Sequence, residues 1–306
     1  MALYIGIDVG GTAIKGVVID ESGKLYGEDS IPTTTGEGIV DCIVTLVNRL
    51  MKDGKNNFKG VGIGCAGVID SKDGKVVLAK NLFLENFPLV KLLNEKTNLP
   101  VKITNDANAA ALGEAKFGAG KNYKNSILVT LGTGVGGGIV IDGKLFEGNK
   151  SAGAEIGHMV IEKGGQLCSC GRRGCFEAYS SATALKRFTK LAMEEDAGSL
   201  MWRSYTSNTV TGKTAFEYLD TDRTAREVVE KYVEYLACGL TNLANIFRPE
   251  VIMLGGGISK EGTRLTAPVQ EIVDRETFAS GYAPVKITCA SLVSAGAYGA
   301  AALFLE

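Results

Sequence analysis

The chain has 306 residues, a formal net charge of −1, 45% apolar residues and 22% charged residues. This length is ample for two lobes, and the near-neutral charge argues against binding to nucleic acid or to a membrane surface. The sequence contains no apolar run near the roughly 18 residues of a membrane span, and its first residues carry no basic region or cleavage site, so we expect a cytoplasmic protein.

Strand-like segments alternate with helical patterns, which is typical of an α/β protein. In chain order we predict strands at 4–8 and 15–20, a helix at 39–50, strands at 60–64 and 101–104, and a helix at 108–117. There follow strands at 126–131 and 138–141, a long helix at 223–247, strands at 250–254 and 285–289, and a helix at 295–304. Residues 194–212 are irregular and polar, which indicates a surface excursion.

The sequence contains an internal repeat. Residues 5–20 (IGIDVGGTAIKGVVID) align without a gap on residues 127–142 (ILVTLGTGVGGGIVID). Each copy predicts a strand, a Gly-rich hairpin and a second strand. We interpret the repeat as a duplication that gives two lobes of similar topology, whose hairpins face each other across a cleft. A chance alignment of glycines and valines is the alternative.

Three Gly-rich segments, at 10–12, 132–134 and 255–257, follow predicted strands. Consecutive glycines let backbone N–H groups converge on an anion, and a carboxylate at a strand end can hold hydrated Mg²⁺ against phosphates. A simple turn is the alternative for each segment, but their recurrence at strand ends indicates nucleotide binding. We expect the third segment, 255–257, to open a helix. The residues assigned to ATP and Mg²⁺ are Asp8, Gly10, Gly11, Thr12, Lys15, Gly132, Thr133, Gly134, Gly255, Gly256 and Gly257.

A carboxylate, Asp106, follows the predicted strand at 101–104. At the junction of a strand and a helix it could accept the proton of a substrate hydroxyl. The alternative is a helix N-cap, which the local sequence taken by itself favours for Asp106.

The sharpest local signal is a cluster of metal-binding side chains. The single histidine, His158, is followed by Cys168, Cys170 and Cys175 on a Gly- and Arg-rich loop. Three thiolates and an imidazole form a closed tetrahedral zinc shell of the structural type. Buried apolar cysteines are the alternative. The other cysteines, which we expect in the core, are Cys42, Cys65, Cys238 and Cys289.

Two carboxylates, Glu155 and Glu177, bracket this loop together with His158. Carboxylates accept several hydroxyl hydrogen bonds, so the group fits a polyhydroxylated ligand. Surface solvation or ion pairing is the alternative for each glutamate.

Together these motifs resemble one family. Asp-x-Gly-Gly-Thr, Asn-Asp-Ala-Asn, Leu-Gly-Thr-Gly-x-Gly-Gly-Gly, Glu-x-Gly-His and Cys-x-Cys-Gly-x-x-Gly-Cys-x-Glu occur in the order found in the ROK family of sugar kinases and related transcriptional repressors. The chain is similar to the bacterial ATP-dependent glucokinases. This resemblance implies an actin-like, ribonuclease-H-like ATPase fold. It also implies a small lobe at 1–117 joined by the helix at 292–306, and a large lobe at 118–291 that carries the zinc loop.

The resemblance also implies roles for single residues. It makes Asp106 the catalytic base, against the local preference for an N-cap, and it makes zinc structural. One ring nitrogen of His158 would bind zinc while the other faces a sugar hydroxyl. A homodimer is implied as well. The implied sugar contacts are Gly67, Asn105, Asp106, Glu155, His158 and Glu177.

The activity expected from the resemblance is transfer of a phosphoryl group from Mg·ATP to the primary hydroxyl of a hexose, glucose first, as in glycolysis. Family members often have Pro-Gly where this chain has Ala66-Gly67, and a Trp that the stretch 81–85 lacks, so a kinase for fructose, mannose, allose or an N-acetylated hexosamine is the alternative. A sugar-responsive repressor would carry a helix-turn-helix region before the first strand. That strand begins near residue 3, so we expect no such region. A non-catalytic sugar-binding regulator is the third alternative.

Overall fold

The computed structural model describes residues 1–51 and 57–306. These residues form two compact units. The first unit comprises 1–128, 138–154 and 291–306, and the second comprises 129–137 and 155–290. Relative to the predicted small lobe, the first unit also holds 118–128 and 138–154. Close packing of Gly138 on helix 106–117 accounts for part of this, because a Cβ on Gly138 would lie 2.6 Å from the Ala111 methyl.

The strands occupy most of the predicted positions. Those of the first half are β1 Ala2–Val9, β2 Ala13–Ile19, β3 Leu25–Pro32, β4 Asn57–Cys65, β5 Val68–Asp70, β6 Lys75–Ala79, β7 Leu84–Phe87 and β8 Val101–Asn105. Those of the second half are β9 Ser126–Leu131, β10 Val135–Ile141, β11 Lys144–Phe146, β12 Val251–Gly256 and β13 Lys286–Cys289.

The helices are α1 Gly38–Leu50, α2 Leu89–Thr97, α3 Asp106–Phe117, α4 Glu177–Ser180, α5 Ala182–Glu195, α6 Thr214–Glu217, α7 Arg223–Phe247, α8 Thr263–Glu276 and α9 Ala295–Ala302. Short 3₁₀ turns lie at Lys80–Leu82, Asn149–Ser151, Ile156–His158, Leu200–Arg203 and Ile258–Glu261. In the described ranges, no helix is both long enough and apolar enough to span a membrane.

Two sheets repeat one topology. The strand order is β3-β2-β1-β4-β8 in one five-stranded sheet and β11-β10-β9-β12-β13 in the other, and a smaller sheet has the order β5-β6-β7. When the five strands of each large sheet are counted in chain order, the third lies at one edge and is followed across the sheet by the second, first, fourth and fifth. The predicted α/β class is therefore confirmed, and the shared order is what a duplication produces.

The first unit packs a large apolar cluster on one face of its sheet, whereas on the other face the backbone of α9 lies against strand glycines beside a smaller apolar cluster. Ile7, Ile63 and Leu46 are fully buried between the sheet and α1. On the opposite face α9 touches the strands through their glycines: a Cβ on Gly6 would lie 1.8 Å from the Ala297 carbonyl oxygen, and one on Gly62 would lie 1.7 Å from that of Ala300. Any side chain at these strand positions would push α9 off the sheet.

The helices α3 and α9 cross at an equally short distance. A Cβ on Gly299 would lie 1.6 Å from the Ala109 carbonyl oxygen, and one on Gly113 would lie 2.3 Å from that of Ala295. The last helix of the chain is thus fitted by glycines against both the sheet and α3.

In the second unit, the long helix α7 is the main packing surface. The Tyr232 ring is fully buried, and its hydroxyl donates to the Ser180 carbonyl oxygen at 2.7 Å. Phe176, also fully buried, packs over Gly239, where a Cβ would lie 2.2 Å from the ring. Because Phe176 directly follows Cys175, this contact fixes the end of the cysteine loop.

Some predictions need correction. Residues 194–212 are not a surface excursion throughout, because Met201 and Val210 are buried and the Ser199 hydroxyl donates to Asp222 at 2.5 Å. The segment after 255–257 is a 3₁₀ turn, and the helix α8 begins only at Thr263. Of the cysteines expected in the core, Cys65 is buried, whereas Cys42, Cys238 and Cys289 are half-buried.

Candidate functional site

The carboxyl ends of three neighbouring strands gather candidate site residues of the first unit. Strands β1, β4 and β8 run parallel, with Asp8 opposite Gly64 and Cys65 opposite Asn105. Parallel strands that end in register bring their carboxyl ends to one edge of the sheet, where open α/β sheets bind ligands. Asp8, Asn105 and Asp106 therefore share this edge.

The N-cap of α3 is Asn105 and not Asp106. The Asn105 Oδ1 accepts from the backbone N–H groups of Ala107 at 2.9 Å and Asn108 at 3.3 Å. The alternative of an N-cap at Asp106 is off by one residue, because an asparagine in extended conformation directly precedes it and is an equally good cap.

Asn105 also reaches a second candidate residue. Its Nδ2 donates to the Gly67 carbonyl oxygen at 3.0 Å. Gly67 has a φ of +119° and would meet the Leu78 carbonyl oxygen at 2.4 Å if it carried a Cβ, so glycine is required there. The structure thus brings together Gly67, Asn105 and Asp106.

Asp106 is the first residue of α3 and is half-buried. Its Oδ1 accepts from the Ala107 N–H at 2.9 Å. A carboxylate in the first turn of a helix lies near the partial positive charge of the backbone N–H groups there, and it is placed to accept a proton from a bound ligand.

Asp8 is half-buried and lies near Asp106. Burial, and secondly the charge of Asp106, raise the pKa of Asp8, while Lys15 acts in the opposite direction. Gly296 at the start of α9 packs against it, since a Cβ there would lie 2.9 Å from the Asp8 carboxyl carbon. Two neighbouring half-buried carboxylates form a donor set that suits a hard cation such as Mg²⁺.

A buried thiol, that of Cys65, lies near these carboxylates. Burial, followed by the charges of Asp106 and Asp8, raises the pKa of Cys65 to about 12. This thiol stays protonated at neutral pH, which argues against a role as nucleophile.

The first Gly-rich hairpin is braced from its sides. The Gly10 N–H donates to the Ala13 carbonyl oxygen at 3.1 Å, and the Thr33 hydroxyl donates to the Gly10 carbonyl oxygen at 2.7 Å. The Thr33 N–H donates to Thr12 at 3.1 Å. Gly11 is exposed, and a Cβ there would meet nothing within 4 Å. The hairpin tip is therefore fixed in place while its amide face stays open.

The second hairpin is held by the start of α5. The Ala182 N–H donates to the Gly132 carbonyl oxygen at 2.8 Å, and the Thr183 hydroxyl donates to that of Thr133 at 2.7 Å. Within the hairpin, the Gly132 N–H donates to the Gly134 carbonyl oxygen at 3.0 Å.

The three glycines of the segment 255–257 differ in their surroundings. Gly255 is buried within β12. Gly256 has a φ of +88° and would meet the Leu131 carbonyl oxygen at 2.4 Å if it carried a Cβ, so packing on β9 already requires a glycine there. Gly257 is exposed, with open space at its Cβ position.

The predicted metal ligands converge. Ligand atoms of His158, Cys168, Cys170 and Cys175 all lie within 4.8 Å of one another. The Sγ atoms of Cys170 and Cys175 are 3.7 Å apart, as are the Cys168 Sγ and the His158 Nδ1. A tetrahedron with zinc–sulfur bonds of about 2.3 Å has edges of about 3.8 Å, so the spacing fits Zn²⁺.

Tight turns place the cysteines. The Cys168 N–H donates to the Arg172 carbonyl oxygen at 2.8 Å, and the Gly171 N–H returns to Cys168 at 3.0 Å. Gly171 and Gly174 have φ values of +88° and +85°, which favour glycine. A hydrogen bond from the Arg172 backbone lowers the pKa of Cys170, whereas burial raises that of Cys175 to about 12.

Glu155 and Glu177 flank this centre in different ways. Glu155 is exposed, and its carbonyl oxygen accepts from the His158 N–H at 3.1 Å. Glu177 accepts from the Ser169 hydroxyl at 2.7 Å and from the Val135 N–H at 3.1 Å. The contacts of Ser169 and Val135 had no signal in the sequence.

The contacts of Glu147 were also not predicted from the sequence. Glu147 accepts from the Thr104 hydroxyl at 2.6 Å and from the Ser71 hydroxyl at 2.7 Å. Thr104 immediately precedes Asn105, so this carboxylate supports the strand end that carries the candidate base. The polar residues at 71 and 147 belong to no recognisable motif.

Comparison with known proteins places the chain. The ROK family model matches residues 4–306. A glucokinase from Streptomyces coelicolor is 38% identical, covering 100% of this chain and 98% of the relative. A xylose repressor from Caldicellulosiruptor bescii is 32% identical, covering 94% of this chain and 74% of the relative.

A solved structure agrees with the sequence relatives. The ROK family glucokinase from Streptomyces griseus in complex with glucose and AMPPNP has a TM-score of 0.79 and 36% identity, and the match covers 98% of each chain. This likeness confirms the predicted actin-like, ribonuclease-H-like fold class. From the family model and these relatives, we conclude that the chain belongs to the ROK family.

Proposed function

We propose that this protein is an ATP-dependent sugar kinase that phosphorylates glucose at its primary hydroxyl, giving glucose 6-phosphate. Full-length similarity to glucokinases supports this activity. The observation that carries it is local: Asn105 supplies the N-cap of α3, so the capping role does not account for the Asp106 carboxylate beside it.

Asp106 is the proposed catalytic base. Phosphoryl transfer requires the attacking hydroxyl to be oriented and relieved of its proton as the bond to phosphorus forms. The Asp106 carboxylate accepts that proton, and Asn105 and Gly67 hold the same hydroxylated ligand at the strand edge.

We assign nucleotide contacts to Asp8 and to the Gly-rich hairpins, each considered within its own unit. When bound, Mg²⁺ neutralises phosphate charge and orients the transferred group. The Asp8 carboxylate fits its hydrated shell, with Lys15 as a further cation toward the phosphates. Backbone N–H groups at 10–12, 132–134 and 255–257 suit the remaining phosphate and nucleoside contacts.

The remaining sugar contacts lie beside the zinc centre. We assign the sugar hydroxyls to Glu155, His158 and Glu177, whose acceptors match several hydroxyl donors. The Nδ1 of His158 faces the Cys168 sulfur at 3.7 Å, which supports zinc on this nitrogen and leaves Nε2 for the sugar. Zinc is structural in this proposal, since His158, Cys168, Cys170 and Cys175 close its shell.

The decisive experiment is a coupled assay of ADP release across a panel of hexoses. We expect the highest kcat/KM for glucose, with mannose, fructose, allose and N-acetylated hexosamines lower. Sugar binding without ATP turnover would favour a regulator, the role named for the xylose repressor, and would overturn the proposal. We further propose that the protein is a cytoplasmic homodimer acting at the start of glycolysis, which the family resemblance supports. Light scattering tests the homodimer.

A further inference from the structure

Glu177 joins two parts of the second unit that are far apart in sequence. It is the first residue of α4 and directly follows the cysteine loop. Its Oε1 accepts from the Ser169 hydroxyl at 2.7 Å, and its Oε2 accepts from the Val135 N–H at 3.1 Å. Val135 directly follows the hairpin at 132–134. One carboxylate therefore connects the metal loop to this hairpin.

The contact between Glu177 and the hairpin is close. A Cβ on Gly134 would lie 2.2 Å from the Glu177 Oε2, so the carboxylate rests on the hairpin backbone. The other end of the hairpin is held at 132–133 by α5. A displacement of Glu177 therefore moves 134–135 relative to 132–133 and changes the direction of the hairpin amides.

Metal binding would fix the position of Ser169, the residue that contacts Glu177 from the cysteine loop. Ser169 lies between Cys168 and Cys170, so its position is fixed on both sides when these cysteines bind zinc. The Cys168 thiol also reaches the Glu177 Oε1 at 3.6 Å, but a zinc-bound thiolate has no proton to donate. In the zinc-loaded protein the Ser169 hydroxyl is therefore the group that holds Glu177.

We propose that zinc in this site strengthens nucleotide binding at the 132–134 hairpin, with Glu177 as the positioning residue between them. This inference rests on the proposed function, because it takes the hairpin as a phosphate site. Linkage requires that nucleotide tighten zinc binding by the same factor. We expect about tenfold, within the range of roughly 5- to 150-fold usual for coupled sites.

The test measures zinc affinity by competition with a chromophoric chelator, with and without AMPPNP, in excess Mg²⁺ and without sugar. In the wild type, AMPPNP should tighten zinc binding about tenfold. Glu177→Ala and Ser169→Ala keep every zinc ligand and should lose this effect. Glu177→Gln keeps groups able to pair with both Val135 and Ser169, so it should retain most of it.

Glu162→Gln is the matched control. It removes a carboxylate from the same loop, but its partner is the Tyr235 hydroxyl at 2.9 Å and not the hairpin. It should show the wild-type response. Circular dichroism checks the fold of each variant, and Ser169→Ala tests the connection even where Glu177→Ala is unstable.

Three outcomes would overturn the inference. A wild type that binds AMPPNP with unchanged zinc affinity refutes the coupling and leaves the proposed function standing. Absence of AMPPNP binding to the zinc-loaded wild type refutes both. If Glu177→Gln loses the effect of AMPPNP on zinc affinity as fully as Glu177→Ala does, the effect depends on the charge of Glu177. That result refutes the positioning role.

Discussion

Gly299→Ala should destabilise the first unit, although it improves the helix. Alanine in a helix interior is favoured over glycine by about 1 kcal/mol. The added Cβ would lie 1.6 Å from the Ala109 carbonyl oxygen, whereas real contacts essentially never fall below 3.0 Å. Its three nearest neighbours are all backbone atoms, which no side-chain rotation can move.

The overlap therefore forces α9 away from α3, and overpacking of this kind costs about 3 kcal/mol, the upper end of the usual range. The net loss is about 2 kcal/mol of unfolding free energy after the gain in helix propensity. Urea denaturation measures this loss, and hydrogen exchange in β1 peptides assigns it to the first unit. Gly281→Ala, with nothing within 4 Å of its Cβ position, is the matched control and should stay within about 0.5 kcal/mol. A Gly299→Ala midpoint at or above that of the wild type would refute the reasoning.

Three further predictions address the site. Asp106→Asn should lower kcat by about 10²- to 10⁴-fold with a nearly unchanged KM for glucose, while the exposed turn variant Asp142→Asn keeps wild-type kinetics. Asp8→Asn should raise the urea midpoint at neutral pH while abolishing turnover. The pKa of Asp8 is raised above its ordinary 3.8, so its ionised form costs stability above the raised pKa, and the gain should vanish as the pH falls below about 4. Iodoacetamide at pH 8 should label Cys170 only after zinc is chelated and should leave the buried Cys65 unlabelled in the native protein, as peptide mass spectrometry would show.

Strong local patterns predicted the elements best. The helix at 223–247 and the strand at 126–131 have the predicted bounds, because their apolar periodicity is uninterrupted and Pro249 stops the helix. The start of α3 was predicted at residue 108 but lies at Asp106, since a polar Asn-Asp-Ala-Asn stretch leaves the position of the cap open.

The convergence of His158, Cys168, Cys170 and Cys175 was predictable because these residues are clustered in sequence and their chemistry is specific. The contacts that tie the site to the fold were not. Glu177 meets Val135 across 42 residues, and Thr104 meets Glu147 across 43. Such pairs arise from the return of the chain in three dimensions, and a single sequence records no pattern for them.

The glycine contacts of α9 have a consequence for how the protein is made. The strands β1 and β4, which contain Gly6 and Gly62, leave the ribosome long before Ala297 and Ala300, whose backbone covers them. Until residues 295–302 emerge, one face of the first sheet lacks its cover and remains exposed to water or to chaperones. The second unit, whose residues all precede 291, is translated in full before that. Although domains usually fold in the order of their synthesis, here the unit that begins first should finish last.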